Sequence, residues 1–172
     1  LSGIGIVKGS QISPNILNRA KRLLKKKLEE KGFEKAEVSI STKDDPASPG
    51  YVIVDINVDK KEKIKVHRIY ISGNEEVKES KLKRAMKETK ELVNLFKSKK
   101  FIREKYNSDK DLLIDKYNEF GYRDAELVSD SVVPYKDNKV DIYLKVQEGK
   151  KYYFRNITWV GNTVYPSPVL SA

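Results

Sequence analysis

Apolar positions along this chain follow two periods, and the two periods recur in the same order. Ile16, Leu17, Ala20, Leu23, Leu24 and Leu28 return at helical spacing. Ser13-Pro14 ahead of them pairs a capping serine with proline at the first helical position. Gly32 suits the left-handed residue that closes such a helix. Ala36, Val38 and Ile40 then alternate with polar residues, as a half-buried strand does. The stretch from Asp44 to Gly50, with two prolines, reads as a turn, and Val52, Val54, Ile56 and Val58 as the partner strand.

The second round is longer. Ile64 to Ile71 reads as a strand with apolar residues on both faces, Val66 and Tyr70 on one and Ile69 and Ile71 on the other. That pattern predicts cover on both sides. Leu82, Ala85, Met86 and Thr89 predict a short helix. A connector follows from Lys90 to Lys100, in which Leu92, Val93, Leu95 and Phe96 are expected to tether it to the core. Tyr106, Leu113, Tyr117 and Phe120 mark one face of a second helix, closed by Gly121. Ala125 to Val132 and Val140 to Val146 predict a hairpin. Lys151 to Val160 then reads as another opening strand.

These segments are repeats. Gly32-Phe33 before Ala36-Glu37-Val38 is echoed by Gly121-Tyr122 before Ala125-Glu126-Leu127. Arg68 to Asn74 is echoed by Asn156 to Asn162. The offset is about 88 residues, longer than a solenoid repeat and suited to a tandem array of small domains. The expected division is a partial unit over residues 1–62, a complete unit over 63–149, and the first strand of a third over 150–172. The expected fold class is α+β. Each full unit runs β-α-α-β-β and forms a three-stranded mixed sheet with two helices on one face. A right-handed crossover makes the first strand parallel to the third. The third strand is then central, and the second lies exposed at one edge.

Charge changes the picture little at first sight. Lys and Arg number 35 against 25 Asp and Glu, a net +10, and charged residues make up 35% of the chain. Nucleic acid, anionic lipid and acidic protein all suit such a balance. Much of it sits on one predicted helix: Arg19, Lys21, Arg22, Lys25, Lys26 and Lys27 flank the leucines. Both a solvated face and a specific anionic partner fit that arrangement. The absence of cysteine excludes disulfides and thiol chemistry. No apolar run approaches the ~18 residues of a membrane-spanning helix, and no signal peptide is apparent.

No catalytic constellation emerges, and no cofactor is implied. His67 is the only histidine and reads as structural or exposed. Asp44-Asp45 precedes prolines and lacks a calcium-loop pattern. Asp109 and Asp111 read as charges on a helix face. Gly3, Gly5 and Gly9 lack the setting of a dinucleotide loop. Tyr152, Tyr153, Phe154 and Trp159, among Lys150, Lys151 and Arg155, suit base stacking or packing between modules. The repeat favours packing, because the equivalent segment Val66 to Ile71 is also apolar on both faces.

Several marks together resemble the polypeptide-transport-associated (POTRA) family in its tandem form. They are Ile69 to Gly73-Asn74, Tyr-Asn-Glu-Phe-Gly-Tyr-Arg-Asp-Ala over Tyr117 to Ala125, Val146-Gln147-Glu148-Gly149, and Ile157 to Gly161-Asn162. The first unit departs from the pattern, with Asp59-Lys60-Lys61 in place of glutamate-glycine. The resemblance implies a non-enzymatic periplasmic scaffold in a Gram-negative outer-membrane protein, with a membrane β-barrel C-terminal to it. Its implied partners are unfolded outer-membrane proteins and accessory lipoproteins, not nucleic acid. Alternatives are basic nucleic-acid-binding α/β modules, or a POTRA region of another secretion or cell-division machine.

An open sheet edge offers unpaired backbone groups to an incoming strand of almost any sequence. The expected client edge is therefore Ala125, Glu126, Leu127, Val128, Ser129, Asp130 and Ser131. Expected structural positions are Gly32, Gly73, Asn74, Gly121, Tyr122, Gly149 and Gly161. The first unit lacks an opening strand and the chain ends with a spare one, so a strand-exchanged oligomer is a further expectation.

Overall fold

The computed structural model describes residues 6–92, 100–158 and 160–161. Helix α1 spans Pro14–Glu29. Its cap forms as the sequence requires: Ser13 Oγ accepts the Ile16 N–H at 3.4 Å. Gly32 closes the helix at φ +87°. Strands β1 (Glu37–Asp44) and β2 (Val52–Asp59) pair antiparallel, with Val38 opposite Val58 and Ile40 opposite Ile56. Asp44, read from sequence as turn, pairs with Val52.

The second unit comprises β3 (Lys65–Ser72), α2 (Glu79–Ala85), α3 (Arg103–Glu119), β4 (Glu126–Pro134) and β5 (Lys139–Gln147). Its sheet has the order β3-β5-β4, with β3 parallel and β4 antiparallel to the central β5. Ile69, Ile142, Leu144 and Val146 on the sheet meet Leu82, Met86, Tyr106, Leu113 and Tyr117 in one core. This is the mixed sheet with helices on one face that the pattern predicts.

Two details differ from the sequence reading. β3 is covered on one face only. A bulge at His67 shifts the phase of the strand, so Val66 and Ile69 are both buried while Tyr70 remains exposed. An extra residue in one strand converts apparent two-faced burial into a single face. The short helix also ends early, and Met86 and Thr89 lie beyond it. Both are buried all the same.

The two units differ in how well their strands are covered. β2 corresponds to β5 in the repeat. Val52 and Val58 are 36% and 41% exposed, whereas their counterparts Val140 and Val146 are 7% and 3% exposed. In the second unit β3 and α2 supply the cover. Among the described residues, nothing equivalent covers the first unit.

Residues 150–158 form no strand. A first strand exists only through its ladder with a third strand, and no described residue supplies one. Phe154 is 95% exposed, so the packing expected for this aromatic segment is not seen at that residue. Trp159, Asn162, Val93, Leu95, Phe96 and the first glycines Gly3 and Gly5 lie outside the described residues.

Candidate functional site: an open sheet edge

The two edges of the second sheet are treated differently. The outer edge of β3 is occupied. Ile69 N–H donates to Glu91 Oε1 at 2.8 Å, Leu92 N–H to Val66 O at 3.0 Å, and Phe101 N–H to Ile64 O at 2.8 Å. Glu91, Leu92 and Phe101 thus take up backbone groups along the outer edge of β3. The outer edge of β4 has no pairing strand among the described residues.

That open edge is bounded at both ends. The register shifts between Leu127 and Ser129, which leaves Val128 in a bulge, exposed and outside the ladder. Pro134 ends the strand and offers no N–H. Bulges and prolines shorten the stretch to which another strand can add. Ser129 to Val133 remain as the regular open run. Of the residues singled out from sequence, Ala125 precedes β4 and is buried, with its N–H donating to Tyr122 O at 3.3 Å. Leu127 packs partly against the core. Glu126, Val128, Ser129, Asp130 and Ser131 are exposed.

Asp130 fastens this edge to the helix layer. Its carboxylate accepts Tyr106 Oη at 2.8 Å and Lys110 Nζ at 3.2 Å. Burial acts to raise its pKa, but these two partners outweigh burial and hold it below the ordinary 3.8. Burial, then Asp130, push the Tyr106 phenol well above its usual range.

The repeat's short motifs turn out to be parts of two junctions. Glu148 sends both carboxylate oxygens to the turn after β3, accepting Glu76 N–H at 2.8 Å and Val77 N–H at 3.0 Å. Asn74 Nδ2 donates to Val77 O at 3.1 Å in the same turn. Gly73-Asn74 and Glu148-Gly149 thus form one joint at the end of the sheet. Gly149 has φ +69°, and a Cβ there would press on Asp124.

The second junction holds the start of one unit against the helix end of the previous one, and it occurs twice. Ile64 N–H donates to Gly32 O at 3.3 Å, and Tyr152 N–H donates to Gly121 O at 2.8 Å. Lys63 Nζ lies 5.0 Å from the Phe33 ring centre, and Lys151 Nζ lies 5.8 Å from that of Tyr122. Tyr122 in turn meets Tyr117 edge-on at 6.1 Å. Arg123 stacks on Tyr152 at 4.5 Å, and the Tyr152 hydroxyl donates to Asp124. Tyr152 is therefore occupied with the module joint. Gly161 keeps a positive φ of +77°.

One structural residue is at odds with the sequence reading. Asp109 is no surface charge; it is 1% exposed. Its carboxylate accepts the backbone N–H groups of Lys87, Glu88 and Thr89, with Lys87 at 2.7 Å. It anchors the chain leaving α2. The signal was present, because Asp109 falls between Tyr106 and Leu113 on the apolar stripe of α3. A carboxylate there needs internal donors. Asp111 is exposed as expected. His67 Nδ1 lies 2.8 Å from Asp141 Oδ1 and its ring stacks on Tyr135 at 4.0 Å, a structural setting. No cluster of His, Cys, Asp and Glu among the described residues is able to hold a metal ion. No described helix is long and apolar enough to cross a membrane.

The fold is an α+β tandem of small modules, and the second sheet has one occupied and one open edge among the described residues. The family model described as "Surface antigen variable number repeat", POTRA, matches residues 1–61 and 64–149, and the chain belongs to this family. Among solved structures, the chain is similar to BamA from Haemophilus ducreyi lacking POTRA domains 1–3, at 22% identity and TM-score 0.52, over 83% of this chain and 25% of that one. It is also similar to the N-terminal domain of Omp85 from the thermophilic cyanobacterium Thermosynechococcus elongatus, at 15% identity and TM-score 0.54, over 86% and 55%. POTRA domains 3–5 of BamA from Haemophilus influenzae match at 19% identity and TM-score 0.48, over 83% and 51%. The chain thus spans about a quarter to a half of the chains it resembles. No curated protein matches it.

Proposed function

We propose that this chain is part of the periplasmic scaffold of a BamA-type outer-membrane β-barrel assembly factor. In this reading it receives unfolded outer-membrane proteins by strand addition and docks accessory lipoproteins, beside a membrane barrel of the same protein. The units are residues 1–62, 63–149 and the opening of a third over 150–172. Membership of the POTRA family and the fold shared with BamA and Omp85 support this reading.

The observation that carries it is the asymmetry of the second sheet. Glu91, Leu92 and Phe101 occupy the outer edge of β3, and β4 has no pairing strand from Ser129 to Val133 among the described residues. Backbone pairing at such an edge accepts many sequences, as a receiver of diverse clients requires. Gly73, Asn74 and Gly149 serve the joint at the end of this sheet, Gly32, Gly121 and Tyr122 serve the junctions between units, and Gly161 keeps the positive φ of the same motif.

The absence of cysteine makes the test direct. Cysteine is placed at Ser131 on β4 or at Ser72 on β3, and an unfolded barrel-strand peptide carrying a thiol-reactive group is added. Strong labelling at position 131 and weak labelling at 72 are expected. Equal labelling at both, or none at 131 in a folded chain, overturns the reading.

A further inference from the structure

Helices α1 and α3 occupy equivalent places in their units. Aligned on Gly32 and Gly121, their inward residues correspond: Leu17 with Tyr106, Leu24 with Leu113, and Leu28 with Tyr117. Their outward residues do not. Arg22 stands where α3 has Asp111, and Lys26 where α3 has Asp115. All four side chains belong to exposed residues. Arg19, Arg22 and Lys26 fall at steps of three and four, one stripe along the helix, with Lys21 and Lys25 beside it.

Little local charge balances this stripe. Lys25 meets Glu29 at 3.9 Å and Lys26 meets Glu104 at 3.4 Å, both between exposed groups. Exposed pairs of this kind are weak in water and open readily to another anion. Arg19, Lys21 and Arg22 have no ion-pair partner among the described residues. Folding does not require this charge, because the same helix position in the second unit carries acids.

We infer that the Arg19, Arg22 and Lys26 face of α1 is a docking surface for the anionic headgroups of a lipid bilayer. Clusters of cations on an amphipathic helix bind anionic bilayers through their summed attraction to headgroup phosphates. The cations ride on long stems at successive turns of a convex helix, which suits a fluid plane of phosphates better than one shaped pocket. α1 contains no aromatic residue, so nucleic-acid bases have no stacking platform there. The inference rests on the proposed place of the chain beside a membrane, and it orients the first unit with α1 toward that membrane.

The test is flotation of the full chain with vesicles of phosphatidylglycerol and phosphatidylcholine, against vesicles of phosphatidylcholine alone. Binding to the anionic vesicles only, lost as salt rises, is expected. Arg22→Asp with Lys26→Asp, a change the equivalent helix already tolerates, should lower the partition coefficient about tenfold or more. Arg22→Gln with Lys26→Gln should lower it less. Lys136→Glu with Lys145→Glu changes net charge equally on the other unit and should leave most binding intact. Absence of flotation by the unaltered chain, equal loss in both charge-reversed pairs, or tighter binding of duplex DNA than of vesicles through Arg22 and Lys26 overturns the inference. Labelling at Ser131→Cys is measured in parallel. If labelling persists while flotation is absent, the lipid surface falls and the scaffold reading stands; if flotation persists without labelling, the scaffold reading falls.

Discussion

Gly73 lies against the carbonyl oxygen of Val146, so closely that a Cβ at residue 73 would overlap that oxygen. The residue also sits at φ +81°. Two independent constraints therefore select glycine where β3 leaves the sheet beside the end of β5. Glu148 grips the turn immediately beyond.

Gly73→Ala should destabilise the second unit by about 3 kcal/mol, from left-handed strain plus displacement of a backbone carbonyl that has no freedom to move. Urea unfolding reads this directly. An unchanged midpoint would show that the joint is loose.

Asp109→Ala should cost about 3 kcal/mol, because it removes a buried acceptor from three backbone N–H groups, of which that of Thr89 is itself buried. Asp109→Asn keeps an acceptor and should cost less. Amide hydrogen exchange at Thr89 should quicken in both, ahead of exchange in β5. Protection at Thr89 equal to that of the unaltered chain would refute the anchoring role.

Lys61 carries φ +51° where the second unit has Gly149. Its Nζ pairs with Asp59 at 2.6 Å, an exposed contact. Lys61→Gly should stabilise the first unit by about 1 kcal/mol, since a left-handed lysine is strained and an exposed ion pair contributes little. A fall in thermal midpoint would mean that the Asp59 contact outweighs the strain.

Asp130 predicts an acid-sensitive edge. Its folded-state pKa is depressed by Tyr106 and Lys110 against burial. A depressed carboxylate adds stability above its unfolded pKa, and that stability is lost as pH falls through the folded pKa. The unaltered chain should therefore exceed Asp130→Asn in stability at pH 6; the gap should begin to narrow near the unfolded pKa of about 4 and close only below the depressed folded pKa. A gap that does not change with pH would assign the effect to packing.

Much of this protein was legible in its residues. The helical spacing of Ile16 to Leu28, the Ser13-Pro14 start, and the alternation of Val140 to Val146 each depend on local geometry and solvent contrast, which a sequence carries directly. The repeat extended that reading, since a fold built twice reveals which positions are core: Leu24 and Leu113, Leu28 and Tyr117. Strand order followed as well, because the crossover has one favoured hand.

What tertiary structure alone decided depends on contacts between residues far apart in the chain. The bulge at His67 turned an apparently two-faced strand into a one-faced one, because register belongs to a pair of strands. Asp109 became an anchor only when the chain beyond α2 folded over it. The open edge narrowed to Ser129 to Val133 because the bulge at Val128 exists only in pairing with β5. The closing of β3 against Leu92 and Phe101 decided which edge stayed free. A backbone donor 20 residues or more away in sequence leaves no periodic trace, so its satisfaction appears only when the chain is folded.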